Sequence, residues 1–150
     1  ILYPGVAMVE DSNVSVGRGT DMPFELLGAP WINGKELAVY LNNRQIHGVH
    51  FLPVDFTPMS HPFKNEVCQG VQIALIDRQA LDTPALGVEI ASALHQLHPK
   101  EFQVDKILGP IGSRKVLQAV KDGQDPNSIV RSWQRPLEEF CKLRSKYLLY

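Results

Sequence analysis

Between Glu10 and Thr20 the chain reads Glu-Asp-Ser-Asn-Val-Ser-Val-Gly-Arg-Gly-Thr. Within this stretch Glu10, Asn13, Ser15, Arg18 and Thr20 supply a carboxylate, an amide, hydroxyls and a guanidinium. Gly17 and Gly19 flank Arg18, so the backbone can turn tightly there and approach a ligand closely. A sugar needs such a mixture of fixed donors and acceptors, and a sugar bearing a carboxylate also needs the planar fork of an arginine. The same composition suits an ordered loop whose polar groups serve its own backbone. Gly17-x-Gly19 is not a dinucleotide motif, because the third glycine and the following βαβ unit are missing.

Other chemistry-bearing residues are less organised. His95 and His98 stand three apart on an expected helix, and His47, His50 and His61 lie elsewhere. Zinc takes three or four ligands at defined spacing, so these read as surface or capping histidines and no metal or other cofactor is expected. Cys68 sits at a strand entry and reads as a small buried hydrophobe, and Cys141, beside Phe140 and Leu143, reads as core. Trp31, Phe51, Phe56 and Phe63 could form a sugar-stacking platform, although core is the commoner place for each. No two carboxylates are tied by spacing into a glycosidase acid/base pair.

The elements around these residues suggest an α+β domain with a small mixed sheet and flanking helices. Val6–Val9 reads as a short buried strand, and Pro23–Leu27 as one helical turn capped by Asp21. Helices are expected at 34–43, at 82–97 with Thr83 as cap, and at 113–121 ending at Gly123. Strands are expected at 48–56, with Pro53 marking an edge or bulge, and at 70–76. Residues 57–66 read as a loop. From Pro126 to about Tyr147 the pattern is helical in two pieces, broken at Pro136. The ending Lys146–Tyr150 reads as packed onto a core.

Composition bounds the partners. The chain has 150 residues, enough for one domain with its own core. Fifteen Lys and Arg against sixteen Asp and Glu leave no basic footprint, so nucleic acid is not an expected partner. No apolar run approaches the roughly 18 residues of a membrane span. The opening Ile1-Leu2-Tyr3, without initiator Met or signal-peptide features, reads as a piece of a longer protein.

Several stretches together resemble one family. They are Tyr3-Pro4-Gly5, the whole run Glu10–Thr20, Pro23-Phe24 and Gly28-Ala29-Pro30-Trp31. Gly48-Val49-x-Phe51-x-Pro53, Phe56-x-Pro58, Cys68-x-Gly70-Val71-Gln72-Ile73 with Asp77-Arg78, Leu108-Gly109 with Arg114, and the ending from Trp133 to Tyr150 extend the match. The chain resembles the C-terminal part of the NamZ-type (YbbC-like) exo-β-N-acetylmuramidases over nearly all its length. It departs from the family pattern at Asp11-Ser12 and at Val16.

The resemblance implies one C-terminal domain, residues 1–150, of a bacterial glycoside hydrolase. Such an enzyme releases N-acetylmuramic acid from non-reducing ends of peptidoglycan fragments during cell-wall turnover. It implies a preceding Rossmann-like domain that carries the catalytic residues and is the partner of this one, so none is expected in this chain. A secreted or periplasmic enzyme is implied. Glu10, Asn13, Ser15, Gly17, Arg18, Gly19 and Thr20 match the family's motif and are expected to line the substrate side of the cleft. By their chemistry, Arg18 would pair with the lactyl carboxylate or its peptide extension. Asn13 and Thr20 would bind sugar hydroxyls or the N-acetyl group, and Glu10 would orient Arg18 or a sugar hydroxyl. The competing readings are a non-catalytic muropeptide- or glycan-binding module and a structural scaffold domain.

Overall fold

The structure is a computed structural model that describes residues 1–148. Its centre is helix α3 (Thr83–Leu97), with Leu86, Val88, Ile90, Ala91, Ala93 and Leu94 all buried. A helix apolar on most sides must be surrounded. Helices α1 (Tyr3–Val6), α2 (Gly34–Asn43), α5 (Arg114–Lys121) and α6 (Pro126–Arg144) all pack on it, and the one-turn α4 (Leu108–Ile111) precedes α5. Asp82 accepts from the Ala85 N–H and so supplies the cap expected of Thr83, while Pro84 occupies the first turn, where its missing N–H is harmless.

Three strands, β1 (Leu26–Ala29), β2 (Val49–Phe56) and β3 (Cys68–Leu75), form a sheet of order β1-β3-β2. The fold is α+β, and both pairings are antiparallel rather than mixed. Pro53 lies on the edge strand β2, where an absent N–H breaks no second ladder. The register pairs Gly28 with Gly70. A Cβ at Gly70 would collide with the Leu27 carbonyl, so the close approach of β1 and β3 requires glycine.

Four local expectations change. Val6–Val9 is helical, as the end of α1 followed by a 3₁₀ turn (Ala7–Val9). Leu2, Val6 and Val9 are buried at helical spacing, a signal that a short apolar run hides. Residues 26–29 are strand rather than the end of a helical turn, because β3 supplies their hydrogen bonds. Helix α6 runs unbroken through Pro136. Ser132, whose carbonyl loses its partner there, is exposed, and water can hydrate that carbonyl. Beyond Trp133 this helix leaves the core: Cys141 is exposed, not core, and Tyr147 and Leu148 are exposed at 78% and 49%. Leu149 and Tyr150 lie outside the described residues.

Cys68, by contrast, is buried as expected. Burial, and then the charge of Glu66, push its thiol up to about 11. Mild alkylation near pH 8 is therefore expected to label Cys141 and spare Cys68, read by peptide mass mapping. Rapid double labelling of the native protein would contradict this burial.

Candidate functional site

The 10–20 loop is built against β1. The Ser15 and Gly28 backbones exchange two hydrogen bonds of 2.8 and 2.9 Å, and Val14 and Val16 enter the core on either side. Gly17 and Gly19 then take φ of 78° and 82°. A Cβ at Gly17 would lie 2.7 Å from the Met22 carbonyl, and one at Gly19 would lie 2.6 Å from the Ser60 N–H nitrogen. Both glycines are thus required by conformation and by contact. The Met59 N–H donates to the Gly19 carbonyl at 2.8 Å, tying the 57–66 segment to the loop.

Several of the polar residues serve this architecture. The Asn13 amide donates to the Glu101 carbonyl at 2.8 Å and accepts from the Gln103 N–H at 2.9 Å, bridging to the segment after α3. The Ser15 hydroxyl is buried and accepts from the Gly17 N–H. Thr20 donates its hydroxyl to the Gly17 carbonyl at 2.6 Å and accepts from the Met22 N–H. Replacing Asn13 with Ala leaves two backbone groups without their partner. Both bonds are open to solvent, so the change is expected to destabilise the protein by about 0.5–1.5 kcal/mol, measured by urea denaturation. An unchanged midpoint would mean that water replaces the amide without loss.

Glu10 and Arg18 pair with each other and keep part of their surface free. Glu10 accepts from the Arg18 Nε, and the side chains keep 26% and 39% of their exposure. This hydrogen bond is the main reason the guanidinium is held above its usual pKa. The guanidinium also lies over the Phe24 ring, 4.8 Å from its centre, which fixes the plane of the fork. A cavity of about 280 Å³ opens here, lined by Glu10, Asp11, Ser15, Arg18, His61 and Pro62. A guanidinium held by a carboxylate and an aromatic ring can present its remaining N–H groups to an anion entering this cavity.

His61 belongs to this cavity, although its sequence neighbourhood gave no sign of it. It reaches Arg18 through the Gly19–Met59 hydrogen bond, a contact between segments far apart in the chain. His61, Phe63 and Asn65 all take positive φ, between 62° and 64°. Non-glycine residues adopt this conformation at some energetic cost, and such residues gather at ligand-binding loops.

The four aromatic residues do not form one platform. Phe51 is buried in the core, Phe63 packs against it, Phe56 lies across the sheet under Gly28, and Trp31 stands beside His98. Among the described residues, no group of three or more His, Cys, Asp or Glu side chains could hold a metal ion. No helix of the described residues is long and apolar enough to cross a membrane.

The family described as "Exo-beta-N-acetylmuramidase NamZ, C-terminal" matches residues 1–150. The chain belongs to this family. It is 34% identical over 155 aligned residues to the peptidoglycan β-N-acetylmuramidase NamZ of Bacillus subtilis (strain 168). That alignment covers 99% of this chain and 37% of the relative, so the NamZ C-terminal domain spans little more than a third of the relative's length. The crystal structure of a DUF1343 family protein from Bacteroides fragilis NCTC 9343 superposes with a TM-score of 0.73 at 26% identity. It is covered over 40% of its length, against 99% of this chain. A second DUF1343 structure from the same organism, at 23% identity, has the same TM-score and shares the fold.

Proposed function

We propose that this NamZ C-terminal domain forms one wall of the substrate cleft of an exo-β-N-acetylmuramidase whose catalytic residues lie in a preceding domain of the same polypeptide. The substrate is a peptidoglycan fragment with N-acetylmuramic acid at its non-reducing end. The observation that carries the reading is the Arg18 guanidinium, fixed by Glu10 and Phe24 at the mouth of a cavity. Muramic acid differs from other amino sugars of the wall by its lactyl carboxylate, and a pre-oriented guanidinium is the side chain suited to recognise one. In this reading Glu10 and Arg18 touch the ligand. Asn13, Ser15, Gly17, Gly19 and Thr20 contribute by holding the loop in the shape that presents them.

The test is hydrolysis of a chromogenic β-N-acetylmuramide by the product of the complete reading frame. Release of the chromophore with N-acetylmuramic acid, and no release of chromophore from the matching β-N-acetylglucosaminide, is the expected result. Saturable binding of muropeptides without hydrolysis would instead favour a glycan-binding module. Neither binding nor hydrolysis would leave a scaffold domain.

A further inference from the structure

Helix α2 covers only part of one face of the sheet. Alternate residues of a strand share a face, so Phe51, Pro53 and Asp55 of β2 lie with Ile73, Val71 and Gln69 of β3. At Phe51 and Ile73 this face is buried in the core. At the other end α2 is only beginning, with Gly34 seated directly on the Gly70 backbone. The last rungs of the sheet therefore open into a groove of about 630 Å³. Trp31, Asn33 and Lys35 form one wall, and Pro53, Asp55 and Gln69 the other.

The groove has the size of a small-ligand site and a defined chemistry. Trp31 is held in place, packed against the core and edge-on to the buried His98 ring, with centroids 5.3 Å apart at 70°. The Asn33 side chain is committed to the Glu36 N–H as the cap of α2. Lys35, Asp55 and Gln69 are exposed, and among the described residues neither Lys35 nor Asp55 enters an ion pair. Asp55 and Gln69 are direct cross-strand partners, which sets their Cβ atoms roughly 4.5–5.5 Å apart on one face. A carboxylate and an amide at that separation can hydrogen-bond neighbouring hydroxyls of one ring, beside an immobilised indole that can cover its apolar face.

We propose that this groove is a second carbohydrate subsite that takes an uncharged N-acetylated pyranose of the glycan. Asp55 and Gln69 hold its hydroxyls, Trp31 lies against the ring, and Lys35 reaches the acetamido carbonyl. The ligand class rests on the function proposed above, whereas the groove and its free polar groups do not. The segment that follows α3 braces both sites: His98 supports Trp31, and the backbone at Glu101 and Gln103 receives Asn13 from the Arg18 loop.

The probe is N,N′,N″-triacetylchitotriose (chitotriose), which carries no carboxylate and so makes no demand on Arg18. The chain has two tryptophans, so Trp133→Phe leaves Trp31 as its only indole reporter. In the unsubstituted protein the Trp31 indole N–H resonance gives the same reading. Chitotriose at millimolar concentration is expected to change the Trp31 signal saturably. Asp55→Ala and Gln69→Ala should each weaken binding about tenfold, the loss of one good hydrogen-bonded contact, without shifting the melting curve. Arg18→Ala should leave the titration unchanged. A flat titration, or equal affinity in the Asp55 and Gln69 variants, overturns the subsite. A flat titration beside Arg18-dependent cleavage of the muramide removes the groove and keeps the proposed function. Saturation without any cleavage does the reverse.

Discussion

Replacing Arg18 by Ala is expected to lower kcat/KM on a chromogenic β-N-acetylmuramide at least about tenfold in the product of the complete reading frame, with an unchanged melting curve. The guanidinium is more than a third exposed and the loop is held by other contacts, namely the Ser15–Gly28 exchange, the Asn13 bridge and the Gly19–Met59 hydrogen bond. Loss of the side chain therefore removes a ligand contact and leaves the fold. Arg18→Lys keeps the charge and loses the fork, so it should recover only part of the rate if recognition is bidentate. A β-N-acetylglucosaminide, lacking the lactyl group, supplies the control: any residual turnover of it should be indifferent to Arg18. Wild-type kcat/KM in a folded Arg18→Ala enzyme would assign the loop to scaffolding.

The largest expected effect on stability lies at Arg44. Arg44, just past the end of α2, donates from Nε and Nη2 to the Glu89 carboxylate of α3 at 2.8 and 3.0 Å, and from Nη2 to Asp125, the cap of α6, at 2.8 Å. One guanidinium thus joins three helices. The Glu89 side chain is only 7% exposed, so Arg44→Ala strands a buried carboxylate. Removing one partner of a buried ion pair is expected to destabilise by about 3–5 kcal/mol. For a chain of this size that lowers Tm by roughly 10 °C. The double variant Arg44→Met, Glu89→Leu removes both charges and should recover most of the loss. Equal instability of single and double variants would show that packing, not the unpaired charge, sets the cost.

The same triad gives stability a pH dependence. The hydrogen bond from Arg44, the largest influence, holds the Asp125 carboxyl below its usual pKa. A carboxylate more acidic in the folded than in the unfolded chain stabilises fully above its ordinary pKa of 3.8, and that contribution is lost as pH falls through the lowered value. Asp125→Asn should therefore narrow the difference in Tm between pH 7 and strongly acid conditions.

Local chemistry was legible where it did not depend on distant partners. The helix at 34–43, the edge character of β2 at Pro53, the buried thiol of Cys68 and the turn-forming glycines beside Arg18 follow from propensity, proline's missing N–H and the freedom of glycine at positive φ. So does the pairing of Glu10 with Arg18, two complementary charges in one short loop. Where neighbours far along the chain decide, the residues were silent. Residues 26–29 are strand because β3 offers them a ladder, and Val6–Val9 is helical because α3 receives Leu2, Val6 and Val9 on one side. Pro136 looks like a helix break, yet it is tolerated on a stretch where Ser132, whose carbonyl it deprives of a partner, is exposed. Asn13 and Thr20 have the chemistry of ligand contacts, but the backbone of the turn and of the segment after α3 takes up their hydrogen bonds. His61 joins Arg18, and Trp31 faces Asp55 and Gln69, only through contacts between segments remote in the chain. Residue types and short spacings set which chemistry this protein carries. Strand register and helix packing, each a matter of burying apolar surface without stranding a polar group, decided which of those residues stand together and which remain free for a ligand.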